Sequence, residues 1–415
     1  MWPYLRSLIP GIVAGVTSTD VAAVATYSES GSEFGLAAIK FQLFCVLPAF
    51  CFQELGARVG FAGGRGMSGV VLDRFGPAAA RLLFAAVACV AAYTVFAQLT
   101  GIVAVARLVG APRAAAVAAF SALVLYVHFF DTFAAWLALF LSALLASYVA
   151  LAAASLRGDL SRPRNFWAMD VGDDDFDYLV VSATVGGAIP PILPFYQCAN
   201  AVRATGVGLG DVRRAMGVAT LFSVACSCAI TVAAAFAFSD DAEVRTIQDA
   251  GEAFSGRLGE FGTATFCLGL LGAATTSASV ALTTVLWAWE DWRSAGPAAS
   301  DAEVARLVGG EKPPPDAADA PAVDGGGPPA ALCVFIVAAN AALLWAFDDR
   351  GLLAGVVRTQ DFDALFLPPS LALTIALARG LPEEAYSAAE YRAHVVGACL
   401  VGGVGLAPLA FAAFH

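Results

Sequence analysis

Apolar residues along the chain gather into runs close to the roughly twenty positions that a helix needs to cross a bilayer core. They fall at about 8–27, 35–57, 80–106, 113–130, 132–155, 177–201, 215–238, 261–288, 330–347, 362–379 and 393–413. The pattern predicts eleven membrane-spanning helices and an all-α integral membrane architecture. Asp131 alone marks the turn between the fourth and fifth runs. Residues 293–330 break the pattern. Pro313 to Pro315, Gly325 to Gly327 and Pro328-Pro329, with scattered acids, cannot bury a core and are expected to form a flexible loop.

Composition sharpens this. Of 415 residues, 59% are apolar and 14% charged, with a net charge of −11 and a mean hydropathy of +0.74. Soluble domains carry about 25% charged residues, so an ordinary solvated surface is excluded. The acids sit in loops and ends, such as Asp173 to Asp175 with Asp177. No basic, aromatic-interleaved patch is present, and nucleic acid is therefore not an expected partner. Nine cysteines lie almost entirely in apolar runs and read as small buried hydrophobes without a disulfide framework. The N-terminal run shows no cleavage site and reads as retained helix. Lys and Arg are modestly richer on the side of the N-terminus, with Arg58, Arg65, Arg74 and Arg81 contributing most, which favours a cytoplasmic N-terminus.

Two of the runs contain helix breakers. The first reads Ile9-Pro10-Gly11 and then Gly15-Val16-Thr17-Ser18-Thr19-Asp20. The sixth runs from Ser182 through Gly186-Gly187-Ala188-Ile189 to Pro190-Pro191, followed by Pro194. Proline removes a backbone donor and glycine weakens a helix. In lipid the freed carbonyls are tolerated where they line a cavity, so interrupted helices at matching positions point to a transporter site. The two lie about 170 residues apart and each opens a group of five runs. That suggests a LeuT-like inverted repeat of 5+5 helices, residues 8–156 and 177–380, plus one additional helix at 393–413, all in a single membrane domain. Asp20 falls inside the first break, where a carboxylate faces a cavity, an ion or a basic partner. No Lys or Arg in the same run neutralises it, so cation ligation is favoured over a simple capping role. Glu54 and Arg58, four apart, read as an ion pair at a helix end.

At these residues the sequence resembles the Nramp superfamily of divalent-metal transporters, closest to its Nramp-related magnesium-transporter branch. The resemblance is carried by Pro10-Gly11, Asp20, Ala25 to Ser28, Gly31 to Gly35, the stretch Gln53 to Gly60 with Gly64 to Gly66, and Gly186 to Gln197. It implies a site in which Asp20 matches the family's metal-binding Asp, Ala23 stands where the family has Asn, and Val21-Ala22 replace Pro-Gly. Gly187 matches the sixth helix's carbonyl donor, Pro190 stands where classical members have Met, and Gln360, eight residues before Pro368, matches the tenth-helix Gln. The candidate metal set is Asp20, Thr17, Ala23, Gly187, Ala188 and Gln360; Thr17, Thr19 and Thr184 are placed to bond the ion's waters, but bonding to the helix backbone is the expected use of each.

Loss of a thioether favours hard, oxygen-seeking ions that keep some water, such as Mg²⁺ or Mn²⁺. The acidic third helix, ninth-helix Arg and sixth-helix His of classical members are missing, with Gln98 the most polar residue of the third run. The resemblance thus implies a passive, uncoupled divalent-cation carrier that alternates access around Asp20. His128 reads as a packing residue. Expected partners are the transported ion, Mg²⁺ or Mn²⁺, and the lipid bilayer, with no resident cofactor; the oligomeric state is open. Other readings are a Mn²⁺/Fe²⁺ transporter with unusual ligands, a signalling or scaffold protein on a decayed transporter fold, and a carrier of an organic amine. Nothing reads as an enzyme.

Overall fold

The computed structural model describes residues 18–129, 133–156, 178–203, 208–238, 244, 246–293, 329–345, 349–381 and 386–400, and no strand occurs among them. The helices are α1 (Val21–Phe34), α2 (Ile39–Gly63), α3 (Met67–Leu108), α4 (Arg113–Phe129), α5 (Phe133–Ser155) and α6 (Tyr178–Ala188). They continue with α7 (Leu193–Arg203), α8 (Leu209–Ala237), α9 (Ile247–Arg293), α10 (Pro329–Leu344) and α11 (Asp349–Arg379). A last helix, α12, spans 388–400. The first-run breakers up to Thr17, the acidic stretch before the sixth run, the proline-rich segment 294–328 and the end of the last run lie outside the described residues.

The interruption of the sixth run appears as two half-helices, and of the first run the described residues show the helix that starts after Asp20. Asp20 has extended backbone (φ −85°, ψ −177°) and its carboxylate caps α1 by accepting the Ala23 N–H at 2.8 Å. The first helix therefore starts at Val21 and runs on to Phe34, past the end at 27 that hydropathy gave. Glu29 and Glu33 consequently lie within it, half-buried. The sixth run divides into α6 and α7 around Ile189–Ile192, because Pro190 and Pro191 lack the N–H groups that the Gly186 and Gly187 carbonyls would meet four residues on. Gly186 O accepts Ile189 N at 3.3 Å instead.

The two longest helices each open with a short arm and bend at a left-handed glycine. In α3 the bend is at Gly76 (φ 81°), with Pro77 restarting the helix, and in α9 it is at Gly259 (φ 63°). These two helices pack more extensively against each other than any other pair does.

Packing divides into two main apolar clusters. One gathers Val24, Leu99, Ile230, Leu270 and Leu282 from α1, α3, α8 and α9. The other gathers Phe52, Leu55, Val185 and Leu367 from α2, α6 and α11. The half-helices α1 and α6 thus belong to different clusters and meet at the seam between them.

Outside, Leu43, Leu47, Leu82, Leu221, Phe335, Trp345 and Leu365 stand exposed. In water such a surface would aggregate; against acyl chains it carries no penalty. Val21–Gly63, Met67–Leu108, Leu209–Ala237 and Ile247–Arg293 are long and apolar enough to cross a membrane. The chain is a multi-pass integral membrane protein.

Several of the buried charges are paired. The Glu54–Arg58 pair (2.9 Å) is buried and wider than its spacing suggests. Arg213 of α8 also reaches Glu54 Oε1 at 2.9 Å, and Arg58 reaches Glu390 of α12 at 3.2 Å. Two acids against two bases leave the group neutral, which is the condition for burying it. The Arg58 guanidinium also lies 4.3 Å over the Tyr386 ring, whose hydroxyl meets His394 Nδ1 at 2.6 Å. Arg65 bonds Asp73 at 2.7 Å and Arg203 bonds Asp291 at 3.0 Å. Several arginines that sequence reading took as topology signals are thus structural pins. All nine cysteines are unbridged.

Candidate metal site

The Asp20 carboxylate sits where α1, α3, α6 and α11 converge, only 8% exposed. From α3, Gln98 Nε2 donates to Asp20 Oδ2 at 2.9 Å while Gln98 Oε1 accepts the Val21 N–H at 3.1 Å. From α11, Gln360 Nε2 donates to Asp20 Oδ1 at 3.1 Å. With the Ala23 bond, three acceptor positions of the carboxylate are used, and an ionised carboxylate offers about four. Among the described residues no Lys or Arg pairs with Asp20.

Close backbone approach lets these helices converge. A methyl group at Gly186 would collide with the Gln360 carbonyl of α11, so only glycine permits this crossing. At Gly101, one turn beyond Gln98, a methyl would collide with the Val21 side chain of α1. The two contacts bring α11 and α3 onto the break and deliver Gln360 and Gln98 to Asp20.

Of the residues singled out from sequence, Asp20, Ala23, Gly187 and Gln360 come together. A Cβ at Gly187 would stand 3.1 Å from Gln360 Oε1 and 3.4 Å from the Ala23 methyl. Gln360 is 2% exposed and its Oε1 has no hydrogen-bond partner. Ala23 contributes its backbone N–H and a methyl. Ala188 lies to the side, in a narrow polar cleft with Ser18, Gln53, Thr220 and Ser223. Ser223 joins the Ser18 and Thr19 hydroxyls there, with 3.1 Å to Thr19. Thr184 Oγ1 donates to the Val180 carbonyl at 2.7 Å and meets Ser30 Oγ at 2.8 Å, a helix-backbone use rather than a ligand's. Thr17 lies outside the described residues. His128 packs its Nε2 3.7 Å from Cys333 Sγ, far along the sequence on α10.

Two residues escaped the sequence reading. Gln98 was visible only as a lone amide in an apolar run. Asp363, 7% exposed, accepts a hydrogen bond from the Tyr93 hydroxyl of α3 and stands one turn beyond Gln360 on α11. Its signal was a carboxylate inside the run beginning at 362.

Chemically, the convergence offers oxygen donors: one carboxylate, the Gln360 amide oxygen, and a Gly187 carbonyl deprived of its usual donor by Pro191. No group of three or more His, Cys, Asp or Glu clusters for a metal among the described residues. The set suits a hard cation that retains water, not a soft one held by sulfur or nitrogen.

Comparison with solved structures places the fold. Over 96% of its length the chain superposes on 85% of a manganese transporter of Eremococcus coleocola, solved with an aromatic bis-isothiourea compound, at a TM-score of 0.68 and 12% identity. A nucleobase-cation-symport-1 family transporter in a closed conformation matches 97% of the chain over 90% of its own, at a TM-score of 0.54 and 12% identity. A third structure, MhsT in complex with L-phenylalanine, matches 98% of the chain at a TM-score of 0.53 and 12% identity, with 97% of its own length covered. These likenesses establish the LeuT-like fold. No curated protein sequence matches the chain. The family model described as natural resistance-associated macrophage protein-like matches residues 11–297, more than half of the 415. The chain therefore belongs to the Nramp family.

Proposed function

We propose that the protein carries a divalent metal cation across its membrane by alternating access around Asp20. One observation supports this above the rest: a buried carboxylate without a basic partner lies at a helix break, beside a buried amide oxygen that lacks a partner. A carboxylate in that setting is costly unless a cation or a proton answers it. To ligate a cation together with Asp20, the Gln360 amide turns so that Oε1 replaces Nε2 at the carboxylate. Asp20, the Gln360 oxygen and the Gly187 carbonyl then supply oxygen, and water completes the shell. Alternation follows from relative movement of the two apolar clusters, which meet at α1 and α6.

The ion we favour is Mg²⁺, because no thioether or imidazole stands at the site and Mg²⁺ binds through few protein oxygens with several waters retained. Mn²⁺ is the second reading, favoured by the structural likeness to a protein named as a manganese transporter. We propose that transport is uncoupled from protons, since the third run has no Asp or Glu.

The test is flux into proteoliposomes with Mg²⁺ and Mn²⁺, with and without a pH gradient, for the wild type and Asp20→Ala. Saturable flux that disappears in the variant and moves no protons is expected. Flux of neither ion by folded, inserted protein would overturn the proposal.

A further inference from the structure

Asp20 is not the site's only buried carboxylate. Asp363 lies three residues, about one helical turn, beyond Gln360 on the same helix and is 7% exposed. The Tyr93 hydroxyl of α3 holds it, five residues before the Gln98 that holds Asp20. The two helices thus present matching arrangements: α3 supplies a donor to each carboxylate, and α11 carries Asp363 one turn from the Gln360 that bonds Asp20. Among the described residues neither carboxylate pairs with Lys or Arg.

Two buried carboxylates with only neutral donors cannot both stay ionised at membrane depth without a compensating cation. Gln360, 2% exposed with Oε1 unpartnered, marks where that cation is received. A single buried carboxylate is balanced by a monovalent ion as well as by a divalent one. A pair is neutralised by one divalent ion, whereas a monovalent ion leaves one charge for a proton or a second cation to answer. Charge count is also the lever by which oxygen-donor sites set cation affinity.

We infer that Asp363, positioned by Tyr93, is the specificity-determining second carboxylate of the ion site and gives it its preference for divalent over monovalent cations. It rests on the reading of Asp20 as the ion site. It acts on the ion through charge and through the retained water shell, while Tyr93 fixes its orientation. This function compensates for the neutral residues, Ala23 and Pro190, that stand where the family resemblance implies side-chain ligands.

The experiment is calorimetric Mn²⁺ and Mg²⁺ binding to the full chain in detergent, against a series of Na⁺ concentrations. The variants are D363N, D363E, Y93F and D20A. D363N is expected to weaken Mn²⁺ binding by about tenfold and to make it sensitive to Na⁺, while D363E stays within about threefold of the wild type. Y93F should fall between them, and it decides the matter if D363N does not fold. Wild-type Mn²⁺ affinity and Na⁺ insensitivity in D363N, or in Y93F where D363N is not recovered, would overturn the inference. If D20A alone then abolishes binding, the transport reading survives that result. A wild type that binds neither Mn²⁺ nor Mg²⁺ would overturn both.

Discussion

Gln98 holds Asp20 with both ends of one carboxamide: its nitrogen meets the carboxylate at 2.9 Å, and its oxygen takes the neighbouring Val21 N–H at 3.1 Å. A single side chain thereby orients the anion and satisfies an amide that the helix start leaves without an intrahelical partner. Gln98→Leu is nearly isosteric and removes both functions. It should cost about 2–3 kcal/mol, since a hydrogen bond to a charged group and a buried amide's partner are lost together. Thermal unfolding in detergent would show the cost, and Mn²⁺ binding should weaken with it; an unchanged melting temperature would refute the clasp.

Gly186→Ala tests how α11 reaches the site. The added methyl meets the Gln360 carbonyl, a backbone atom that cannot turn aside. Overpacking of this kind costs about 1–3 kcal/mol. Here it should also separate Gln360 from Asp20, so ion binding should fall more than stability does. Calorimetry beside a melting curve distinguishes the two.

Pro190→Met changes the donor set. A thioether placed at the break adds a soft ligand, so Cd²⁺ binding should strengthen by about tenfold relative to Mg²⁺. A Cd²⁺/Mg²⁺ affinity ratio equal to the wild type's would show that position 190 does not face the ion.

Glu54→Gln probes the buried neutral network. Arg58 and Arg213 would each lose the same carboxylate oxygen at 2.9 Å, leaving net positive charge in a buried place. Breaking a buried pair in this way costs about 3–5 kcal/mol. Loss of expression or a large fall in melting temperature is expected, and a double change of Glu54 and Arg213 to apolar residues should recover part of it.

Glu390 gives a pH dependence of known sign. Burial raises its carboxyl, but the Ser387 hydroxyl and the Arg58 charge lower it more, so it sits below the ordinary carboxylate range. A depressed folded-state value means stability that is present above the unfolded value and is lost as pH falls through the folded one. The side chain is 44% exposed, so the effect should stay below about 1 kcal/mol. E390Q should melt slightly lower than wild type near neutral pH and coincide with it in acid.

The membrane architecture, the break in the sixth run and the helix start at Asp20 were legible in sequence because they depend on local signals: apolar run length, paired prolines, a lone carboxylate. Asp20, Gly187 and Gln360 were legible through the resemblance. Gln98 and Asp363 were not. Gln98 lies 78 residues from Asp20, and nothing local tells an amide that packs from one that clasps a carboxylate. Hydropathy began the tenth run at 362, whereas α11 starts at Asp349, because polar residues interrupt the apolar pattern but not the helix. Asp363 was thereby left at an apparent edge when it lies mid-helix. The buried network around Glu54 was legible only as its i, i+4 pair, since Arg213 and Glu390 come from distant helices.

The bare crossing of α6 on α11 has a mechanical consequence. Where side chains separate two helices, rotamer changes absorb small displacements and one helix slips without moving the other. At Gly186 there is no such cushion, because peptide groups bear directly on one another. Any tilt of the α6 half-helix is therefore transmitted to the α11 backbone at Gln360 without slack. A motion that opens the break and one that repositions the Gln360 amide would then be a single displacement.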